Sequence, residues 1–242
     1  MKIDYNIQKL ANQFRTKNGI ANTEPIRFKS WLIKLKVLAV FKPLSENFSG
    51  MALKQNEERF ILINTNHSLG KQHFTIAHEL YHLFIQEDFQ SMVCNTGIFD
   101  KKNKIEYEAD IFASYLILPE DGLINLMPKE ELQKNKITLA TMLEIEQYFA
   151  CSRGALLNRL VGLDLIDLNK YEKYKVGVGK SALEYGKDIS LYRPGNANLV
   201  IGEYGAKTKK LFENEIISEG HYLSLLNDIG IDIENYNQLA DE

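Results

Sequence analysis

Cysteine is scarce in this chain of 242 residues: there are two, Cys94 and Cys151, far apart and without a CxxC pair. That excludes a disulfide framework and argues against a thiolate zinc site, so both are expected to be free thiols in a reducing cytoplasm. Long apolar runs are missing too. The longest, such as residues 37–41, fall far short of the roughly 20 residues that span a bilayer. The first residues carry no charged-then-apolar signal pattern, which leads to the same cytoplasmic expectation with no membrane partner. Neither sign of charge dominates. A formal net charge of -3 makes no global case for binding nucleic acid or an anionic membrane. There is no internal repeat and no low-complexity segment. What remains is an ordinary globular composition, long enough for one substantial core or a core domain with attachments.

The periodicity alternates between helix and strand. Residues 5–18 read as a helix ended by Asn18-Gly19, and 28–36 as a second. Short apolar runs at 37–41, 48–53 and 59–64 read as strands, the first stopped by Pro43 and the last two joined by a polar turn. A helix over 71–86 follows, apolar nearly all round and so placed in the middle of the core. After a polar loop at 87–104, a helix over 104–118 stops at Pro119. Residues 138–149 form an amphipathic helix, and Ser152 is placed to cap another after the break Ala150-Cys151-Ser152. Helix, short break and helix is the spacing of a helix-turn-helix. Beyond residue 170 come short helices at 181–185 and 218–228, Gly230, and an acidic tail at 231–242 that is expected to fray.

The chemistry concentrates in the buried helix, at His78-Glu79-Leu80-Tyr81-His82. Histidines four apart on a helix lie one above the other, so both imidazoles reach a single ion. Glu79 then lies beside that ion, where it can take a proton from an attacking water. Such a centre needs a third protein ligand. His73, five residues before His78, lies roughly 140° away around the helix and is excluded from the same face. His67 and His221 read as surface or supporting histidines. A carboxylate from the next helix is the better source: Glu106 follows His82 by 24 positions, room for the chain to turn and pack. Asp110, one turn on, is then set to accept the outer N–H of His78. The plainer alternative is a pair of solvated helix carboxylates. Glu108, between them, points elsewhere.

The run Phe74-Thr75-Ile76-Ala77 before the motif, and Glu106-Tyr107-Glu108-Ala109-Asp110-Ile111-Phe112-Ala113-Ser114-Tyr115-Leu116-Ile117-Leu118-Pro119 after it, resemble the ImmA/IrrE metallopeptidases. The resemblance covers roughly residues 35–165 and is specific, because both helices match in order and spacing. It departs at Tyr81, where the family often has Gly or Ala, and at His73, where it often has Arg. It implies a gluzincin-type zinc endopeptidase with one zinc ion on His78, His82 and Glu106 and with Glu79 as base. It also implies a protein substrate, a helix-turn-helix transcriptional repressor whose cleavage induces silenced genes. Tyr115 and His73 are candidates for contacting the oxyanion or the substrate, and the strand at 60–63 for an open edge on which a substrate adds.

The expected fold is α+β: a mainly helical metallopeptidase core at 1–127 with a small three-stranded, mostly antiparallel sheet beside the motif helix. A helix-turn-helix-like segment at 128–168 and a C-terminal region at 169–242 follow. Two other functions compete. In a DNA-binding regulator, residues 138–160 would read the duplex. Six basic residues between Lys129 and Lys170 are balanced by six acidic ones, which favours core packing or protein docking. In a non-catalytic protein the metal would be structural or sensory, with four protein ligands and no open position.

Overall fold

The computed structural model of the chain describes residues 2–89 and 93–231. The first half runs α1 (Lys2–Lys17), α2 (Phe28–Lys34), β1 (Val37–Lys42), β2 (Gly50–Gln55), β3 (Glu58–Asn64), α3 (Leu69–Phe84), β4 (Val93–Cys94) and α4 (Lys104–Ile117). The second runs α5 (Glu120–Leu126), α6 (Leu139–Phe149), α7 (Arg153–Gly162), α8 (Leu168–Tyr174), α9 (Val178–Glu184), β5 (Val200–Ile201), α10 (Tyr204–Glu213) and α11 (Glu219–Asp228). The architecture is α+β and mainly helical, and no described helix is long and apolar enough to cross a membrane. Apart from residue 231, the acidic tail lies outside the described residues.

The sheet corrects the expectation of three mostly antiparallel strands. It has five strands among the described residues, in the order β4-β2-β3-β1-β5, and it is mixed. β1 runs parallel to β3 from Val37↔Arg59 to Lys42↔Asn64, while β2 pairs antiparallel with β3 over Gly50–Gln55. The reason lies in the connection at 43–49, which carries the chain past the end of β3 to its far side. The buried Asn64 holds that connection with its whole amide. Its Oδ1 accepts from the backbone N–H of Leu44 and Asn66, both at 3.0 Å, and its Nδ2 donates to the carbonyls of Ser45 and Phe48 at 2.8 and 2.7 Å. Strand direction leaves no trace in apolar alternation, and two-residue strands such as β4 and β5 have no period to read. With β1 and β2 on its two sides, β3 is interior, so residues 60–63 offer no open edge.

α3 lies against β2 and β3 on one side and α4 on another. Ser68 caps it, accepting from Lys71 N–H at 3.4 Å. Its first turn presses on the break between α6 and α7. A Cβ at Gly70 would come within 2.7 Å of Ser152 N and 2.9 Å of Cys151 C, so only glycine permits that approach. Within the break, Ala150 takes the left-handed conformation (φ 51°) and Ser152 accepts from Ala155 N–H at 3.2 Å. The C-terminal region reaches back to the same turn. Gln72 donates to Gly195 O and accepts from Asn196 Nδ2, both at 3.0 Å.

α1 covers α4, and the wholly buried Arg15 clamps the two. Its guanidinium donates to the carbonyls of Leu116, Ala21 and Glu24. A single buried apolar cluster extends from Ile7 to Ile201 and takes in Met142, Ile145, Phe149, Leu156 and Leu160 of α6 and α7.

Candidate metal centre

α3 and α4 face each other across the core, and their apolar faces put four polar side chains where only hydrogen bonds or an ion can repay burial. His78, Glu79 and His82 are almost fully buried, as is Asp110. The Nε2 atoms of His78 and His82 face each other at 3.1 Å. Glu106 closes the triangle, with Oε2 at 3.3 Å from His78 Nε2 and Oε1 at 3.4 Å from His82 Nε2. Behind the rings, His78 Nδ1 donates to Asp110 Oδ1 at 2.9 Å, and His82 Nδ1 to Gln86 Oε1 at 2.7 Å. With an ion in place of the proton between the two Nε2 atoms, those outer bonds would hold the remaining ring protons on Nδ1 and turn both Nε2 atoms to one point.

A fourth donor lies with them. Cys94 Sγ sits 3.8 Å from both His82 Nε2 and Glu106 Oε1. The donor atoms of His78, His82, Cys94 and Glu106 all lie within 4.8 Å of one another. Nitrogen or oxygen ligands at about 2.1 Å from zinc stand about 3.4 Å apart at tetrahedral corners, and about 3.6 Å from a sulfur at about 2.3 Å. The separations of 3.1, 3.3 and 3.4 Å among His78, His82 and Glu106, and of 3.8 Å from the sulfur to His82 and Glu106, lie near those edges, and imidazole, carboxylate and thiolate suit zinc. The residues therefore fit a zinc ion. This corrects the expectation drawn from cysteine scarcity. Neither cysteine forms a disulfide, but Cys94 belongs to the donor set. Its only sequence signal is a cysteine within the loop between the two helices that carry the other donors.

The electrostatics follow from burial and crowding. Burial raises the Glu79 carboxyl to about 8; the neighbouring His78 opposes this and Glu106 adds to it. Glu79 Oε1 has no hydrogen-bond partner, and it lies 2.9 Å from where a Cβ on Gly50 would stand. Burial works against a charge on His78, but hydrogen bonds to Asp110, Cys94 and Glu106 outweigh it and raise its pKa well above the ordinary value. For His82, burial and the charge of His78 win and lower it. Glu106 ends below its usual range, because contacts with His78 and His82 exceed the upward pull of burial. Burial pushes the Cys94 thiol up to about 12.

The remaining sequence candidates have other partners. His73 Nδ1 bonds Ala150 O at 2.8 Å and its ring stacks on Phe28. Tyr115 lies under the Arg159 guanidinium, 4.3 Å from its centroid. Glu108 accepts from Tyr81 Oη at 2.8 Å. Gln86 was missed, although its position four residues after His82 repeats the helical spacing of the motif.

Comparison with known proteins identifies a family. The Peptidase_M78 family, described as the IrrE N-terminal-like domain, matches residues 34–161. The metallopeptidase ImmA of Bacillus subtilis (strain 168) is 39% identical over 70 residues, which covers 28% of this chain. The matched stretch is 40% of that relative's own length.

Proposed function

The chain belongs to the Peptidase_M78 family of metallopeptidases, and we propose that it is a zinc-dependent endopeptidase acting on a protein substrate in the cytoplasm. One observation carries the reading: the buried Glu79 carboxyl, with one oxygen unpartnered among the described residues, stands beside the donor triangle of His78, His82 and Glu106. A bound zinc ion supplies Lewis acidity for a peptide carbonyl and for the attacking water. Glu79 takes the proton from that water and returns it to the leaving amine. Asp110 and Gln86 hold the two rings so that their Nε2 atoms stay unprotonated and aimed. A substrate strand adds to the side of β2 that, among the described residues, β4 covers at Gly50 and Met51.

In this reading residues 1–127 are the peptidase unit and 128–168 a helix-turn-helix-like segment that docks protein. The substrate is a helix-turn-helix transcriptional repressor, and its cleavage induces the genes it silences. The test is co-expression with a repressor of that class encoded beside this chain. The parent should remove the full-length repressor. Glu79→Gln should spare it, slowing cleavage by about two to four orders of magnitude, while holding the same amount of zinc. Equal cleavage by the variant would overturn the mechanism.

A second reading is a non-catalytic regulator with a structural or sensory metal, and the fourth donor, Cys94, favours it, since structural zinc sites are closed by four protein ligands. Direct DNA reading gains nothing from the structure. The two basic residues of α7, Arg153 and Arg159, are buried. Arg153 pairs with the buried Glu146, and Arg159 donates to Leu118 O at 3.1 Å. A recognition helix without an exposed cation lacks the phosphate attraction on which DNA binding depends.

A further inference from the structure

The segment from Val93 to Phe99 is built over the donor triangle. β4 pairs with the start of β2, Gly50↔Cys94 and Met51↔Val93, and Ser49 N–H donates to Cys94 O at 2.9 Å. Thr96 Oγ1 meets Thr75 Oγ1 of α3 at 3.0 Å. Asp110 then ties the segment down, accepting from Gly97 N–H and Phe99 N–H, both at 2.8 Å. Its Oδ1 also receives His78 Nδ1–H. The carboxylate that orients a zinc histidine thus also fixes the strap that carries the thiol.

Two features of this strap bear on catalysis. Its sulfur is grouped with the donor atoms of His78, His82 and Glu106, all within 4.8 Å of one another, and stands 3.8 Å from both His82 Nε2 and Glu106 Oε1. It also lies 3.9 Å from Oε2 of Glu79, the side chain that takes the water's proton in the peptidase reading. Its backbone, meanwhile, occupies the edge of β2 nearest the site, which an extended substrate needs. One short segment thus carries both the fourth donor and the strand that pairs with the start of β2.

We propose that the Val93–Phe99 strap closes the site, with Cys94 Sγ as a displaceable fourth zinc ligand, and that an incoming peptide opens it by replacing β4 on the edge of β2. On closure the Cys94 S–H proton leaves to solvent as the sulfur lone pair is donated to the ion. On opening the thiol regains a proton and the position passes to the reaction. The pairing of β4 with the start of β2 suits this exchange, because a substrate strand on the same edge restores the backbone hydrogen bonds that are given up. The inference rests on the zinc-peptidase reading. It also reconciles four protein donors with a catalytic site, which needs an open position.

Cobalt substitution tests it. The full-length chain loaded with cobalt(II) should hold one ion per chain and show the near-ultraviolet thiolate-to-cobalt charge-transfer band. Cys94→Ser and Cys94→Ala should keep the ion and the circular dichroism of the parent, and lose the band. Saturating acetohydroxamate, a bidentate metal ligand, should abolish the band in the parent as the thiol leaves. One bound cobalt without the band in the parent overturns the closure and leaves the peptidase reading standing. A band that persists under acetohydroxamate overturns displacement and marks the site as permanently closed. A chain that takes up no cobalt overturns the metal reading and this inference with it.

Discussion

Gly50 shows how much of the site depends on an atom that is absent. Any side chain there would meet Thr75 Cγ2 at 2.5 Å and Glu79 Oε1 at 2.9 Å, so the backbone of β2 sits directly against the proposed base. Gly50→Ala should cost about 1–3 kcal/mol of stability through overpacking. Its larger effect should be on turnover, about a hundredfold, because the Glu79 carboxylate must move. Thermal unfolding and kcat measured on one preparation separate the two. At this scale much was legible. His78 and His82 are paired by one helical turn, and Glu106 and Asp110 by another, so local geometry alone groups each pair. Cys94 was not legible. It reaches the cluster by strand pairing to Gly50, and no spacing rule connects a two-residue strand to a helix.

Among elements, α3 carries most of the design. It is buried along nearly its whole length, and its first turn is clasped by the α6–α7 break and by the region around Gly195. His73 belongs to that clasp through its bond to Ala150 O. Burial is the main cause that holds its pKa below the ordinary 6.5, so it is neutral when folded. The unfolded chain then binds the extra proton first as pH falls. The stability contributed by His73 is therefore full above about 6.5 and declines as pH drops toward its lowered folded value. Denaturant midpoints measured across that window should fall with acid in the parent and fall less in His73→Gln. The helices of the core, such as α3, α4, α6 and α7, were readable because caps and breaks such as Ser152 and Pro119 are written locally, whereas α5, α8 and α10 were not read. The sheet was readable only as strands. The parallel pairing of β1 with β3 depends on Asn64 gripping the 43–49 connection, a tertiary event that periodicity does not encode.

For the molecule as a whole, an ion held by the proposed donors of α3, α4 and β4 would join elements far apart in sequence and tie ligand binding to folding. Zinc held by the folded chain alone adds about 4 kcal/mol when its free concentration is about a thousand times Kd. Stripping it with a chelator should then lower Tm by about 10 °C for a chain of this size, and added zinc should restore it. An unchanged Tm would mean that the donors form a site without metal. The residues shared with the family, 34–161, contain the whole donor set, while α8 to α11 lie beyond them.

The most direct measurement labels new protein N-termini in cells expressing the chain with the repressor proposed as its substrate, comparing the parent with Glu79→Gln at equal zinc content. A new N-terminus within the repressor, present with the parent and absent with the variant, is the predicted result. The same cut in both, or none with a zinc-loaded parent, would contradict hydrolysis by Glu79 at this centre.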